Sequence, residues 1–187
     1  MSRRIHYGWF ILILGALTTF SALGLARFGY TMILPSMQAG LGLNNTQAGF
    51  LATGNFIGYM CLALVGGFLA SHFSPRKVIS VSLLVVAIGL GLTGLSDGFL
   101  SALTMRTLTG MGSGGSNVPM MGLLAGWFTA RRRGLATGIG VSGSSLALIL
   151  TGVLVPWLLN VFGDSGWRAC WFTLGALVLL VALLDYL

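Results

Sequence analysis

Charge is what this chain has least of. Among 187 residues only 7% are Asp, Glu, Lys or Arg, and three of those are acidic. A soluble domain carries about 25% charged residues to cover its surface, so this chain cannot clothe a globule in water. The few acids, Asp97, Asp164 and Asp185, each fall near the end of an apolar run, which excludes a paired-carboxylate centre. Histidine is equally scarce. His6 and His72 sit at run ends, so the serine of Gly140-Val-Ser-Gly143 lacks the positioned base a nucleophile needs. The two cysteines, Cys61 and Cys170, have neither CxxC nor metal-ligand spacing and read as small buried hydrophobes. Neither a metal nor a cofactor is expected, and the chain does not read as an enzyme.

What is present is apolar. Hydrophobic residues make up 56% of the sequence, and mean hydropathy is +0.93. This is an integral membrane protein whose first partner is the lipid bilayer. The net charge of +7 would suggest nucleic acid in a soluble chain. Here the basic residues gather at the ends of apolar runs, so no nucleic-acid partner is expected. The 29 glycines suit helices packed closely in lipid.

A membrane-crossing helix needs roughly 20 apolar residues, and six stretches qualify. They lie at 8–34, 46–70, 77–95, 99–128, 134–162 and 167–187. The links between them are short, so neighbouring spans run antiparallel. Arg3, Arg4, Arg76, Lys77 and Arg131 to Arg133 all fall on one side of that alternation. Excess Lys and Arg marks the cytoplasmic side, which places both ends of this segment there. In a bacterial cell the expected location is the inner membrane. Gly49-Phe-Leu-Ala-Thr-Gly54 and Gly134-Leu-Ala-Thr-Gly138 share a run at the starts of spans two and five, which should point in opposite directions. That is the relation expected of a three-plus-three inverted repeat.

Two arginines lie inside spans: Arg27 in span one and Arg106 in span four. Such a charge costs about 2.5–3.5 kcal/mol to insert at a helix centre, so it usually faces a cavity or a partner. From Arg106, helical spacing brings Gly110, Ser113 and Asn117 onto the same face. This small and polar stripe can line a watery path; alternatively the glycines only admit a neighbouring helix and Arg106 snorkels outward. Tyr30 lies near the face of Arg27, which either meets an anionic solute or marks the outer interface. Asn55, with Tyr59 one turn on, either binds solute or joins helices by hydrogen bonds. Pro119 is expected to bend span four.

These features resemble the N-terminal six-helix half of the major facilitator superfamily. Arg106, Gly110, Gly112 and Gly114 match its span-four motif of an arginine followed by glycines. Arg131-Arg-Arg-Gly-Leu-Ala-Thr-Gly138 is similar to its turn into span five, and Gly166-Trp-Arg168 to its entry into span six. Ala26-Arg-Phe-Gly-Tyr-Thr31, followed by Leu-Pro35, resembles an uncharacterised bacterial branch of efflux-permease type. Two departures stand out. In the loop between spans two and three, Gly67 leads to Arg76 and Lys77 without the family's acid. In span five, Gly143 fits the antiporter signature but Ala147-Leu148 replace its Gly-Pro.

The resemblance implies an all-α membrane fold, residues 1–187 forming one six-helix bundle that is half of a twelve-helix transporter, with the C-terminal half missing. It implies secondary transport of a small organic solute by alternating access, with Arg106 as the leading anchor, supported by Arg27, Asn55 and Asn117. Two arginines without internal acids lean toward an organic anion. A coupling carboxylate for a proton or ion is then expected in the missing half. Proton-linked efflux of drugs or sugars, and a non-transporting six-helix scaffold, are the competing readings.

Overall fold

A computed structural model describes residues 7–186. Arg3, Arg4 and His6 therefore lie outside the described residues, as does Leu187. The described chain is helical, and no strand occurs in it. Helix α1 (Tyr7–Thr19), a π-helical stretch (Phe20–Phe28) and α2 (Gly29–Leu41) follow one another without a break and form a first rod. Then come α3 (Asn45–His72), α4 (Pro75–Gly94), α5 (Phe99–Trp127) and α6 (Ala130–Phe162). A 3-10 turn at Gly163–Ser165 leads into α7 (Gly166–Tyr186).

Local chemistry sets these limits. The first rod continues seven residues beyond the expected end at 34, since Pro35 is tolerated within α2. It stops where Gly42 takes up a left-handed φ of 63°. Asn44 and Gln47 then cap α3 reciprocally: the Asn44 side chain accepts from the Gln47 N–H, and the Gln47 side chain from the Asn44 N–H. Pro75 opens α4 at a position where its missing N–H costs nothing, which moves the start ahead of residue 77. Helix α6 starts at Ala130, so Arg131 to Arg133 belong to its first turn rather than to a link. Helix α5 runs through Pro119 unbroken.

Among the described residues, four stretches are long and apolar enough to cross a membrane: Gly8–Leu41, Asn45–His72, Pro75–Gly94 and the joined Ala130–Tyr186. Helix α5 is not among them, because Thr, Ser, Asn and Gly dilute its apolar residues and Arg106 interrupts them. That loss is compensated by burial. Much of α5 is enclosed, with α3 on one side and α4 on another. The contact depends on glycine. A Cβ on Gly110 would collide with the Asn55 carbonyl, and one on Gly114 with the Tyr59 carbonyl, both on α3. One on Gly112 would come within 2.6 Å of the Ser82 carbonyl on α4. The backbones approach as closely as small-residue packing in membranes permits. Gly143 does the same for α6 against the Ala16 carbonyl of the first rod. Gly67 on α3 and Gly138 on α6, both motif glycines, face open space: a Cβ there meets no atom within 4 Å.

Candidate functional site

Arg106 is 1% exposed, although its side chain is long and charged. It leaves α5 toward the first rod and α7. Its Nη1 donates to the Ala26 carbonyl at 2.8 Å, inside the π-helical stretch. There the Gly29 N–H reaches five residues back to the Gly24 carbonyl, the wide turn that defines such a segment. The guanidinium carbon sits 4.8 Å from the Tyr30 ring centre and 5.0 Å from that of Trp171. These two rings stack at 6.4 Å. The Tyr30 hydroxyl donates onward to the Ala48 carbonyl of α3. From the other side, Asn55 Nδ2 donates to the backbone carbonyl of Arg106 itself at 2.9 Å. Arg106 thus joins the first rod, α3, α5 and α7. Its Nε has no partner among the described residues.

The stripe below Arg106 is packed rather than open. Gly110 faces the α3 backbone, and Ser113 is 1% exposed with its hydroxyl donating back to the Thr109 carbonyl. Asn117 is 9% exposed; its Nδ2 donates to the Tyr59 hydroxyl, and its Oδ1 is buried without a partner among the described residues.

Arg27 has a different setting. It is half-buried on the first rod, with its guanidinium 4.9 Å from the Phe56 ring centre and 5.5 Å from that of Tyr59. No hydrogen bond or ion pair reaches it among the described residues. Asp97 belongs to Arg168, at 3.3 Å. The structure therefore brings Arg27, Tyr59 and Asn117 together in one cluster, and Arg106, Tyr30 and Asn55 in another. Trp171 was not anticipated; only its spacing of four residues from Trp167 hinted that α7 carries an aromatic face.

Arg76 and Lys77, at the start of α4, are exposed and belong to neither cluster. They share their end of the bundle with Trp127 and with Arg132: one pocket joins Arg76 to Trp127, another joins Trp127 to Arg132.

The model of the Major Facilitator Superfamily matches residues 10–187. The chain belongs to this superfamily. It is 29% identical to a probable sulfoacetate transporter of Cupriavidus necator over 82% of this chain and 35% of that protein. It is 28% identical to a hexuronate transporter of Bacillus subtilis, covering 74% and 33%, and 28% identical to a 4-hydroxybenzoate transporter of Acinetobacter baylyi, covering 96% and 38%. The chain spans about a third of the length of these relatives. In fold it matches a proton:xylose symporter bound to 6-bromo-6-deoxy-D-glucose, with a TM-score of 0.84, 16% identity and coverage of 96% and 44%. A bacterial homologue of the human lysosomal transporter Spinster, inward-facing and unoccupied, gives 0.81 at 19% identity, covering 100% and 43%. With this family and its apolar helices, the chain is a multi-pass membrane protein.

Proposed function

We propose that this chain is the first half of a secondary transporter that moves a small organic anion across the membrane by alternating access. Arg27 carries the reading. The two flanking rings, at a half-buried site, are worth about 0.5–1 kcal/mol each. Inserting the charge costs about 2.5–3.5 kcal/mol. The remainder is available to a carboxylate, sulfonate or water, and a bidentate charge-assisted pair is the strongest of these partners. Tyr59 on α3, whose ring lies 5.5 Å from the Arg27 guanidinium, and Asn117 on α5, which donates to the Tyr59 hydroxyl, would orient the rest of the solute. Relatives named for sulfoacetate, hexuronate and 4-hydroxybenzoate support the same chemical class.

In this reading the first rod and α3 to α7 are six crossings arranged as two inverted sets of three. Ala130–Tyr186 holds two of them, because 57 helical residues would extend about 85 Å, nearly three times the apolar core of a bilayer. The end with Arg76 and Arg131 to Arg133 faces the cytoplasm of a bacterial inner membrane.

The test uses the complete transporter in proteoliposomes, supplied in turn with labelled 4-hydroxybenzoate, a hexuronate and sulfoacetate. At least one anion should exchange across the membrane, and Arg27→Gln should lower that flux more than tenfold with membrane insertion unchanged. Undiminished flux in Arg27→Gln would sink the assignment, and selective transport of an uncharged sugar would overturn the anion class.

A further inference from the structure

Three acids serve the whole chain, and one of them is not at the surface. Asp97 and Asp164 stand at the opposite end of the bundle from Arg76, and Asp97 is paired with Arg168. Asp185, on the last turn of α7, is only 5% exposed. Its Oδ2 accepts the Thr18 hydroxyl of the first rod at 2.7 Å. Its Oδ1 is buried and has no partner among the described residues. The carboxyl lines a cavity of about 240 Å³ walled by Leu14, Ile79, Met120 and Trp127, with Ser74 and Arg76 at the turn into α4.

No ion pair reaches Asp185 among the described residues. Thr18 is the polar group facing it from the first rod, and Ser74 and Arg76 are those from α4. The α5 side chains of the cavity are uncharged, and Tyr186 follows on its own helix. Arg76 is turned aside: its guanidinium donates to the Tyr186 carbonyl and lies 5.9 Å from the Tyr186 ring. A buried carboxylate with one hydroxyl donor and no cation is electrostatically incomplete, and something of positive charge must complete it. The cavity leaves one oxygen open and offers too few other oxygens to wrap a metal cation, which needs about six.

We propose that Asp185 is a proton-binding site of the transport cycle, an inference that rests on the transporter reading above. A proton on Oδ1 removes the uncompensated charge and leaves Arg76 on the α7 carbonyl. When water enters from that end and takes the proton, the bare carboxylate draws Arg76 into the shared cavity. The first rod, α4 and α7 are then tied together by charge where they meet. One face of the cycle is thereby coupled to a proton within this half, where the sequence pointed to the other half for a coupling acid.

Two measurements test it. Dicyclohexylcarbodiimide is apolar and attacks protonated carboxyl groups shielded from water, leaving a stable N-acylurea. On the complete transporter in lipid vesicles, peptide mass spectrometry should find Asp185 labelled several-fold more than Asp97 or Asp164, with the label falling as the buffer is made alkaline. Equal labelling of the three acids, or labelling indifferent to pH, would overturn the proposal without any variant having to fold. In the complete transporter, Asp185→Asn should retain counterflow of whichever test anion the unmodified protein exchanges, yet lose accumulation driven by a pH gradient. Gradient-driven accumulation equal to that of the unmodified protein would refute the proton site. Absence of counterflow in the unmodified protein would instead refute the transporter reading, leaving the labelling result standing.

Discussion

Arg106 and Arg27 are two arginines inside one apolar bundle, and the protein treats them in opposite ways. Arg106 is enclosed by two stacked rings, worth about 2 kcal/mol each when desolvated, and by a charge-assisted bond to Ala26, worth about 1.5–3 kcal/mol. These exceed the cost of insertion, so the protein meets most of this charge itself, although the buried Nε has no partner among the described residues. Arg27 has two rings in a wetter place and no hydrogen bond among the described residues. Its charge is under-compensated. A buried charge that the scaffold completes is part of the scaffold, whereas one it leaves incomplete is addressed to something that arrives. The sequence ranks the two the other way, because Arg106 lies in the recognisable motif and Arg27 does not.

The largest effect should come from exchanging the two roles. Arg106→Met leaves the Ala26 carbonyl without its donor, about 1–3 kcal/mol, and empties part of the cage, about 2 kcal/mol more. Thermal unfolding in detergent should therefore show a loss of about 3–5 kcal/mol for Arg106→Met, and less than about 1 kcal/mol for Arg27→Met at its half-buried site. Flux through the complete transporter should not follow stability: Arg27→Met abolishes it in protein that remains well folded. Equal destabilisation by the two changes would collapse the comparison.

A smaller effect separates the glycines. Gly110→Ala drives a methyl into the Asn55 carbonyl, and Asn55 holds the Arg106 backbone, so α5 must shift away from α3. Overpacking of this kind costs about 1–3 kcal/mol. Gly138→Ala meets open space on an exposed helical face and should stabilise α6 by up to about 1 kcal/mol. Melting curves for the pair should move in opposite directions. The same sign for both would mean that α5 packs less tightly than the structure shows.

How much of this was legible depends on the range of the signal. Helical class and helix positions follow from runs of apolar residues, which are local; the ends moved where Pro35, Gly42 and Pro75 set them, and at Ala130, where α6 takes in Arg131 to Arg133. The Arg106–glycine spacing marks one small and polar helix face, and its four-residue period is again local, but the spacing left open whether that face lines water or packs against a neighbour. The partners were not legible. Trp171 meets Arg106 across 65 positions of sequence, and nothing near either residue encodes the meeting. The π-helical stretch around Ala26 contains no proline, so the turn that carries the accepting carbonyl has no sequence mark. Asp185 reads as an interfacial acid from its place at a span end, and only the return of Thr18 on the first rod encloses it.

The smallest effect asks what holds Arg106 from the Tyr30 side. The residue offers two things, a ring over the guanidinium and a hydroxyl bonded to Ala48. Tyr30→Phe keeps the ring and leaves one carbonyl unpaired, a cost of about 0.5–1.5 kcal/mol. That hydroxyl points away from Arg106 toward α3, so its loss should be independent of the arginine. Combining Tyr30→Phe with Arg106→Met should then give additive losses in unfolding free energy, within about 0.5 kcal/mol. Tyr30→Leu removes the ring as well, and its extra cost should vanish once Arg106 is already Met. A cycle in which Tyr30→Phe also couples strongly to Arg106 would mean that the hydroxyl bond positions the ring. The Tyr30 side of the enclosure would then lean on α3 as the Asn55 side already does, and the advantage of Arg106 over Arg27 would rest on that helix as well as on two rings.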